Sequence, residues 1–372
     1  MAEYRYHFYD LPSRTLIDTL PVEGVSFSNE LRGVGSFSGT IPLYADGLDA
    51  RRVMSATIPH RTKVYVEREN ALVWGGRLIP PRDYESAGGR LSIKAEETLG
   101  IFAYRFLPSL TFTGIEQLDI ARSLLQTLQS GPGGDVGLTA TSLVTGRLRD
   151  RTYTAADQTV GLDAITNLSE VIDGFDFFTQ VSWSPTGTPT ETLVFGYPRL
   201  GRTGPGSGLV LEYDRFSGSG NIAGYSWSDG AGLFTRSWAI TTTEEGVTLV
   251  ASTTNTVLLN QGYPMLEQRE NYDGIVYLST LQGHADALSI YSAGHRATAS
   301  VTVRASPGME LGDWSMGDDV AVRISDHRFP PDPRTGVPGF VGYMRIVGWE
   351  VKPGPEGDET YELTLADFLE AL

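Results

Sequence analysis

Thr62-Lys63-Val64-Tyr65-Val66-Glu67-Arg68 and Leu72-Val73-Trp74-Gly75-Gly76-Arg77-Leu78-Ile79 are the stretches on which the fold turns. The first alternates apolar and polar side chains with a period of two, the pattern of a strand with two unlike faces. Glu69-Asn70 sits between them as a hairpin turn; the second stretch returns as the partner strand and Pro80-Pro81 ends it. Arg90-Leu91-Ser92-Ile93-Lys94-Ala95 supplies a third alternating strand. Upstream, Val25-Ser26-Phe27-Ser28 and residues 37–43 alternate too, on either side of Gly33 and Gly35. Residues 1–100 therefore read as one β-domain.

A similar block lies at the other end. Gly317-Asp318-Asp319-Val320-Ala321-Val322 leads to residues 344–351, a proline-bearing connection and residues 360–366, matching the spacing of Arg61-Thr62-Lys63-Val64-Tyr65-Val66, residues 74–79 and residues 89–96. Further strands are expected at 209–213, 225–228, 234–240 and 299–304. The expectation is two related β-barrels or barrel-like sheets, one at each end, separated by helix-containing inserts.

Between them, residues 101–205 read as α/β. Ile115, Leu118, Ala121, Leu125 and Leu128 recur at helical spacing between Gly114 and the breaker Gly131-Pro132-Gly133-Gly134. Leu162, Ile165, Leu168 and Ile172 mark a second helix, with Gly174 past its end. A strand at 175–183 and Leu193-Val194-Phe195 form a hairpin across a polar turn, and the glycine-rich residues 201–208 read as a linker. The remainder, 206–372, is the second β-domain with a helical insert near 245–310. Its helix, near 278–293, turns Leu281, Ala285, Leu288 and Ser292 inward, with Gly294 as its stop. The fold class is mainly β with α+β inserts.

Composition narrows the chemistry. The 372 residues are 40% hydrophobic and 20% charged, with 43 glycines and 20 prolines, as many short strands and tight turns require. The absence of cysteine removes disulfides, thiolate metal sites and cysteine nucleophiles. No apolar run reaches the length of a membrane span, and Met1-Ala2-Glu3-Tyr4-Arg5-Tyr6-His7 lacks the apolar core of a secretory signal, so synthesis in a cytoplasm is expected. The formal net charge is −16, and the 29 Lys and Arg are scattered, against a nucleic-acid-binding face.

The search for catalytic groups singles out no catalytic, cofactor or metal residue. His7, His60, His284, His295 and His327 are the histidines. His284 and His295 share a helix face, but about 16 Å of rise separates them, too far for one ion; both read as surface or interface residues. Ser325-Asp326-His327 is a loop, since triad members meet through the fold. Glu96-Glu97, Glu244-Glu245 and Asp318-Asp319 are neighbours whose side chains point apart, and they read as solvated strand ends. The glycines at 131–134 and 218–220 lack the context of a phosphate loop, and Asp229-Gly230 and Asp273-Gly274 read as turns. Trp74, Trp183, Trp227, Trp238, Trp314 and Trp349 read as core, with sugar stacking as the alternative if exposed.

Leu72-Val73-Trp74-Gly75-Gly76-Arg77-Leu78-Ile79 with its preceding strand, the Gly-Ser-Phe-Ser-Gly at 35–39, and Gly317-Asp318-Asp319-Val320 followed by Arg345-Ile346-Val347-Gly348-Trp349 together resemble the minor tail proteins of actinobacterial siphophages. These are similar to the baseplate hubs of contractile phages. The resemblance implies two tail-tube-like barrels per chain and a homotrimer that presents six barrels as a pseudo-sixfold ring. It implies docking on a distal tail or tail tube protein, attachment of tip, spike or fibre proteins below, and contact with the tape measure protein. DNA would pass through without specific binding, and any hydrolase would reside on another protein. The role implied is structural and non-enzymatic, in the virion tail tip. Alternatives are a carbohydrate- or receptor-binding tail protein, a wall hydrolase with carboxylates assembled from afar, and the hub of a bacterial contractile injection system.

Overall fold

The computed structural model describes the chain apart from residues 1, 46, 230–232, 244, 273, 293–296, 307, 355–358 and 368–372 and the side chains of Tyr291 and Asp367. The first block holds β1 (Tyr4–Asp10), β2 (Leu16–Thr19), β3 (Glu23–Glu30), β4 (Ser36–Pro42), helix α1 (Ala50–Ala56), β5 (Thr62–Arg68), β6 (Ala71–Glu85) and β7 (Arg90–Glu96). The middle segment carries β8 (Leu110–Glu116), α2 (Gln117–Gln129), β9 (Leu138–Ala140), β10 (Leu148–Tyr153), α3 (Gly161–Ser169), β11 (Asp176–Trp183) and β12 (Pro189–Gly196). The last block opens with β13 (Val210–Asp214) and β14 (Ile222–Asp229). An inserted unit follows, with β15 (Arg236–Thr242), β16 (Thr248–Thr254), α4 (Thr256–Asn260), β17 (Glu267–Asn271) and α5 (Leu278–Tyr291). The block then closes with β18 (Ala297–Arg304), β19 (Asp319–Ser325), β20 (Phe340–Pro353) and β21 (Glu359–Asp367).

Both blocks belong to one sheet. Its order is β14-β18-β21-β20-β3-β4-β7-β6-β5-β1-β2, and β19 adds to β20 and carries β13. The length of β20 makes the join: it pairs with β19 through Phe340–Arg345, then with β3 through Gly348–Val351. The order β3-β4-β7-β6-β5 recurs as β14-β18-β21-β20-β19. The likeness read from the three-strand spacing thus extends to five strands, and the inserted unit occupies the connection that is short between β3 and β4.

Period-two alternation places Val64 and Val66 of β5 and Val320 and Val322 of β19 in a shared core with Trp74, Phe27, Phe37, Trp349 and Tyr361. Phe27 meets Trp349 edge-on across the join, ring centres 5.9 Å apart. Burying side chains of this size stabilises by about 1.5–3 kcal/mol each.

No backbone ladder among the described residues closes either block into a barrel. At the open side of the second block, Tyr213 of β13 meets Tyr225 of β14 edge-on, ring centres 5.4 Å apart, and Asn221, just before β14, bonds the β13 backbone. The Asn221 amide donates to the Val210 carbonyl at 2.8 Å, and its oxygen accepts from the Glu212 N–H at 2.9 Å.

The Glu69-Asn70 hairpin turn forms as expected, and other expectations are corrected. Glu69 and Asn70 both take left-handed φ, as a tight hairpin turn requires, without glycine. Pro80-Pro81 does not end its strand: β6 runs on to Glu85, its register against β7 slipping between Ile79 and Asp83, the bulge that lets a strand carry prolines. Ile115 lies in β8, before the helix, and is 38% exposed. Ile172 lies beyond the end of α3 and is exposed. Residues 201–208 are tied down: Arg202 Nε donates to Asp318 at 3.1 Å, and the Gly204 N–H donates to Asp319 at 2.6 Å. Gly294, Gly230 and Asp273 lie outside the described residues.

In the middle segment, α2 and α3 pack on the β11-β12-β9 sheet over Leu118, Leu124, Ile165, Phe177 and Leu193. In the inserted unit, β16-β15-β17 carries α5, with Ala239, Leu281 and Ala285 in its core.

Candidate functional site

The residues singled out for chemistry do not converge. His7 lies between Thr19 and Glu67, His60 meets Arg77, His327 packs edge-on against Phe216, and His295 lies outside the described residues. His284 departs from a surface role. It is buried on α5 against the Tyr272 ring, with Nε2 3.4 Å from the Arg151 guanidinium. Burial, then Arg151 and Arg149, push its pKa down to about 3. No group of three or more His, Asp or Glu among the described residues is arranged to hold a metal ion.

The carboxylates correct the reading of solvated strand ends. Glu97 is buried and accepts from the Gly35 N–H at 2.9 Å, and burial pushes its carboxyl well above the usual range. Asp318 and Asp319 are also buried, facing Arg202 and Arg199 respectively. Burial raises the Asp318 carboxyl, and hydrogen bonds from Arg202 outweigh it, leaving a net lowering. Glu96 pairs with Arg77, and Glu245 is exposed while Glu244 lies outside the described residues. Trp74, Trp314 and Trp349 are buried, and Trp183, Trp227 and Trp238 are half-buried, so no described tryptophan is a fully exposed stacking platform.

What the fold builds from its charged residues is a set of buried pairs between segments far apart in sequence. Lys63 of β5 donates to Glu191 of β12 at 2.6 Å and to the Val136 carbonyl at 2.7 Å, and the Tyr65 hydroxyl donates to the same Glu191 at 2.6 Å. Asp176 at the start of β11 receives Arg32 from the first block and Arg345 from the second. Arg199, just beyond β12, reaches Asp319 of β19 at 2.5 Å. Arg68 of β5 holds Glu359 of β21, which also accepts from the Tyr4 and Tyr361 hydroxyls. The middle segment is thereby wedged against both blocks.

Gly75 makes this packing feasible. A Cβ there would stand 2.5 Å from the Tyr65 ring and 3.0 Å from Val181 of β11, so the bare backbone lets β11 lie across the outer face of β5 and β6. Tyr9, Tyr65, Leu72 and Val181 form the small core of that contact.

Sequence reasoning missed these pairs because a lysine that alternates with valines, as Lys63 does, ordinarily faces solvent. The available signal was Tyr65, an aromatic ring on that same face. Buried pairs cost more to break than exposed ones: removing one partner costs about 3–5 kcal/mol, whereas a surface pair contributes about 0–1 kcal/mol. The arrangement supplies rigidity and a fixed pose of the blocks.

No protein-family model and no curated protein matches the sequence. Solved structures do. The chain is similar to a tail protein from Neisseria meningitidis MC58 at 15% identity and a TM-score of 0.61, covering 98% of this chain and 96% of that one. It is similar to the prophage tail protein gp18 from Listeria monocytogenes EGD-e at 12% identity and a TM-score of 0.55, covering 99% and 95%. A chain of the Francisella PdpA–VgrG complex matches at 8% identity and a TM-score of 0.53, covering 99% of this chain and 58% of that one. From end to end, this chain has the fold of phage and prophage tail proteins.

Proposed function

We propose that the chain is a structural, non-enzymatic hub subunit of a phage tail tip, which closes with two further copies into a homotrimeric ring. The observation that carries this reading is the recurrence of one five-strand order in a single continuous sheet. Two like β-blocks per chain let three chains present six like blocks, which suits a sixfold partner such as a distal tail or tail tube protein. Closed symmetry then leaves no such surface unsatisfied.

In this reading each block is a tube-like barrel, with Asn221 supplying the rung between β13 and β14. The units are residues 1–100, 101–205, and 206–372 with its insert near 245–310. The buried pairs at Asp176, Asp319, Glu191 and Glu359 hold the blocks in the fixed pose a ring component needs. Tip, spike or fibre proteins attach below, and the tape measure protein and DNA pass through the ring. A net charge of −16 favours a lumen that repels phosphate, so DNA slides without sticking. The place of action is the virion, after synthesis in the host cytoplasm. The likeness to a VgrG-containing complex supports a second reading, the hub of a contractile injection system.

Light scattering of the purified chain across a concentration series tests the ring. The expected result is growth toward three chains of 40.4 kDa, about 121 kDa. A chain that stays monomeric at every concentration counts against it, and a stable hexamer points to a distal-tail ring instead.

A further inference from the structure

The two blocks repeat, but their outer faces do not share the same fate. Aligned through the repeat, Val64 and Val66 match Val320 and Val322, which puts Lys63 and Tyr65 in the places of Asp319 and Ala321. In the first block the β5–β6 pairs Lys63–Arg77 and Tyr65–Gly75 face outward and are covered by β11 and β12. In the second block the matching β19–β20 pairs are Asp319–Arg345, Ala321–Tyr343 and Arg323–Val341. The middle segment covers only the first of these, through Arg199 and Asp176. Beyond that point the cover stops: Val341 is 59% exposed and Tyr343 39%, whereas Tyr65 is 4%.

The bare face continues onto β13, where Val210 and Glu212 pair with Ala321 and Arg323, and Arg323 holds Glu212 at 2.7 Å. Beside it is a shallow depression of about 460 Å³, lined by Val210, Glu212, Asn221, Met309 and Arg323 among others. The face thus offers apolar side chains, a charge pair and a recess, directly continuous with a contact this chain already makes to itself.

We infer that the outer face of β13, β19 and β20, centred on Val341 and Tyr343, is the seat of a neighbouring copy of this chain. A second copy is the occupant because the equivalent face of the first block is covered by the chain's own middle segment, and because the internal contact at Asp319 and Arg345 runs straight into the bare patch. Closing the ring brings a copy to this side and completes the cover that the repeat leaves half made. Burying a tyrosine and a valine at the centre of a patch is where interfaces concentrate their energy. This inference rests on the self-assembly reading above.

The absence of cysteine makes a direct test available. V341C gives a single thiol, to be spin-labelled in the full-length chain, and V341K/Y343E removes the apolar centre while its exposed positions leave the core intact. The wild type is expected to self-associate and the label to immobilise over the same concentration range. V341K/Y343E is expected to raise the association midpoint roughly tenfold or more with an unchanged thermal melt. Self-association with a label that stays mobile and a variant that associates equally overturns the inference, leaves the ring standing, and assigns the face to a different tail protein. A wild-type chain monomeric at all concentrations overturns both.

Discussion

Arg68 and Glu359, 291 residues apart in the chain, meet across the junction of the two blocks, with Nε 2.6 Å from one carboxylate oxygen and Nη2 2.8 Å from the other. The bond pattern is the two-pronged one that fixes direction as well as distance. Burial alone would raise the Glu359 carboxyl, but hydrogen bonds from Arg68, Tyr361 and Tyr4 hold it below the usual carboxylate range.

Glu359→Ala leaves Arg68 buried without its counter-charge and is expected to cost about 3–5 kcal/mol, read as a lower midpoint in urea unfolding. The sign of the pH effect follows from the lowered pKa. The pair's contribution is complete above the ordinary carboxylate value of 4.5 and is lost as pH falls through the lower folded value. The gap between wild type and variant is therefore expected to be constant from pH 7 to 5 and to close in stronger acid. A gap that persists undiminished at pH 2 would sink the ion-pair account.

Asn221 carries the second expectation. Its amide stands in for a strand neighbour, satisfying Glu212 N–H and Val210 C=O where no backbone ladder runs. Asn221→Leu keeps the volume and removes both bonds, with an expected loss of about 1–3 kcal/mol. Hydrogen exchange locates the effect: the Glu212 amide is expected to exchange faster, while Val322 and Ile324 in the centre of β19 keep their protection. Unchanged exchange at Glu212 would mean that the Asn221 bonds do not hold β13, leaving that role to β19 and to the Tyr213–Tyr225 contact.

Much of the architecture was legible because period-two alternation is a local signal. It located β3, β5, β7, β18 and β19 and the likeness between the end blocks. What it did not reach is what covers each strand face. Lys63 alternates with Val64 and Val66 as a solvent-facing residue does, yet a second segment lies over it, and only the full fold brings Glu191 to Lys63. Adjacency misled in the same way at Asp318 and Asp319: both are buried because two arginines more than a hundred residues away fold back onto them. Ile115 and Ile172 fit a helical period but fall outside α2 and α3, since apolar spacing marks a helix better than it marks its ends. The likeness to tail proteins rested on short patches, and Trp74 and Gly75 within them prove to be structural: Trp74 donates to the Ser28 carbonyl inside the core, and Gly75 admits β11.

His284 joins the inserted unit to the middle segment and gives the last expectation. Its ring lies 3.9 Å from Tyr272, its Nε2 faces Arg151 of β10, its Nδ1 lacks a partner among the described residues, and the Thr152 N–H donates to the Gly274 carbonyl alongside. Protonating the ring would place a second positive charge beside a buried guanidinium. Because the folded pKa of about 3 lies below the ordinary 6.5, the unfolded chain binds the proton first. Stability from this site is therefore complete above pH 6.5 and declines as pH falls toward 3, by up to about 1.4 kcal/mol per pH unit. That window opens above the one set by Glu359, so between pH 6.5 and 5 the His284 contribution is read on its own. His284→Leu removes the titrating group and the unpaired nitrogen, and is expected to flatten the melting temperature between pH 6.5 and 5 while leaving the decline in stronger acid. Hydrogen exchange at Thr152 reads the same junction directly: its protection factor, taken relative to the intrinsic exchange rate at each pH, is expected to fall on mild acidification in the wild type alone. If the wild type and His284→Leu lose stability in parallel between pH 6.5 and 5, His284 is not what holds the inserted unit in a pH-dependent way.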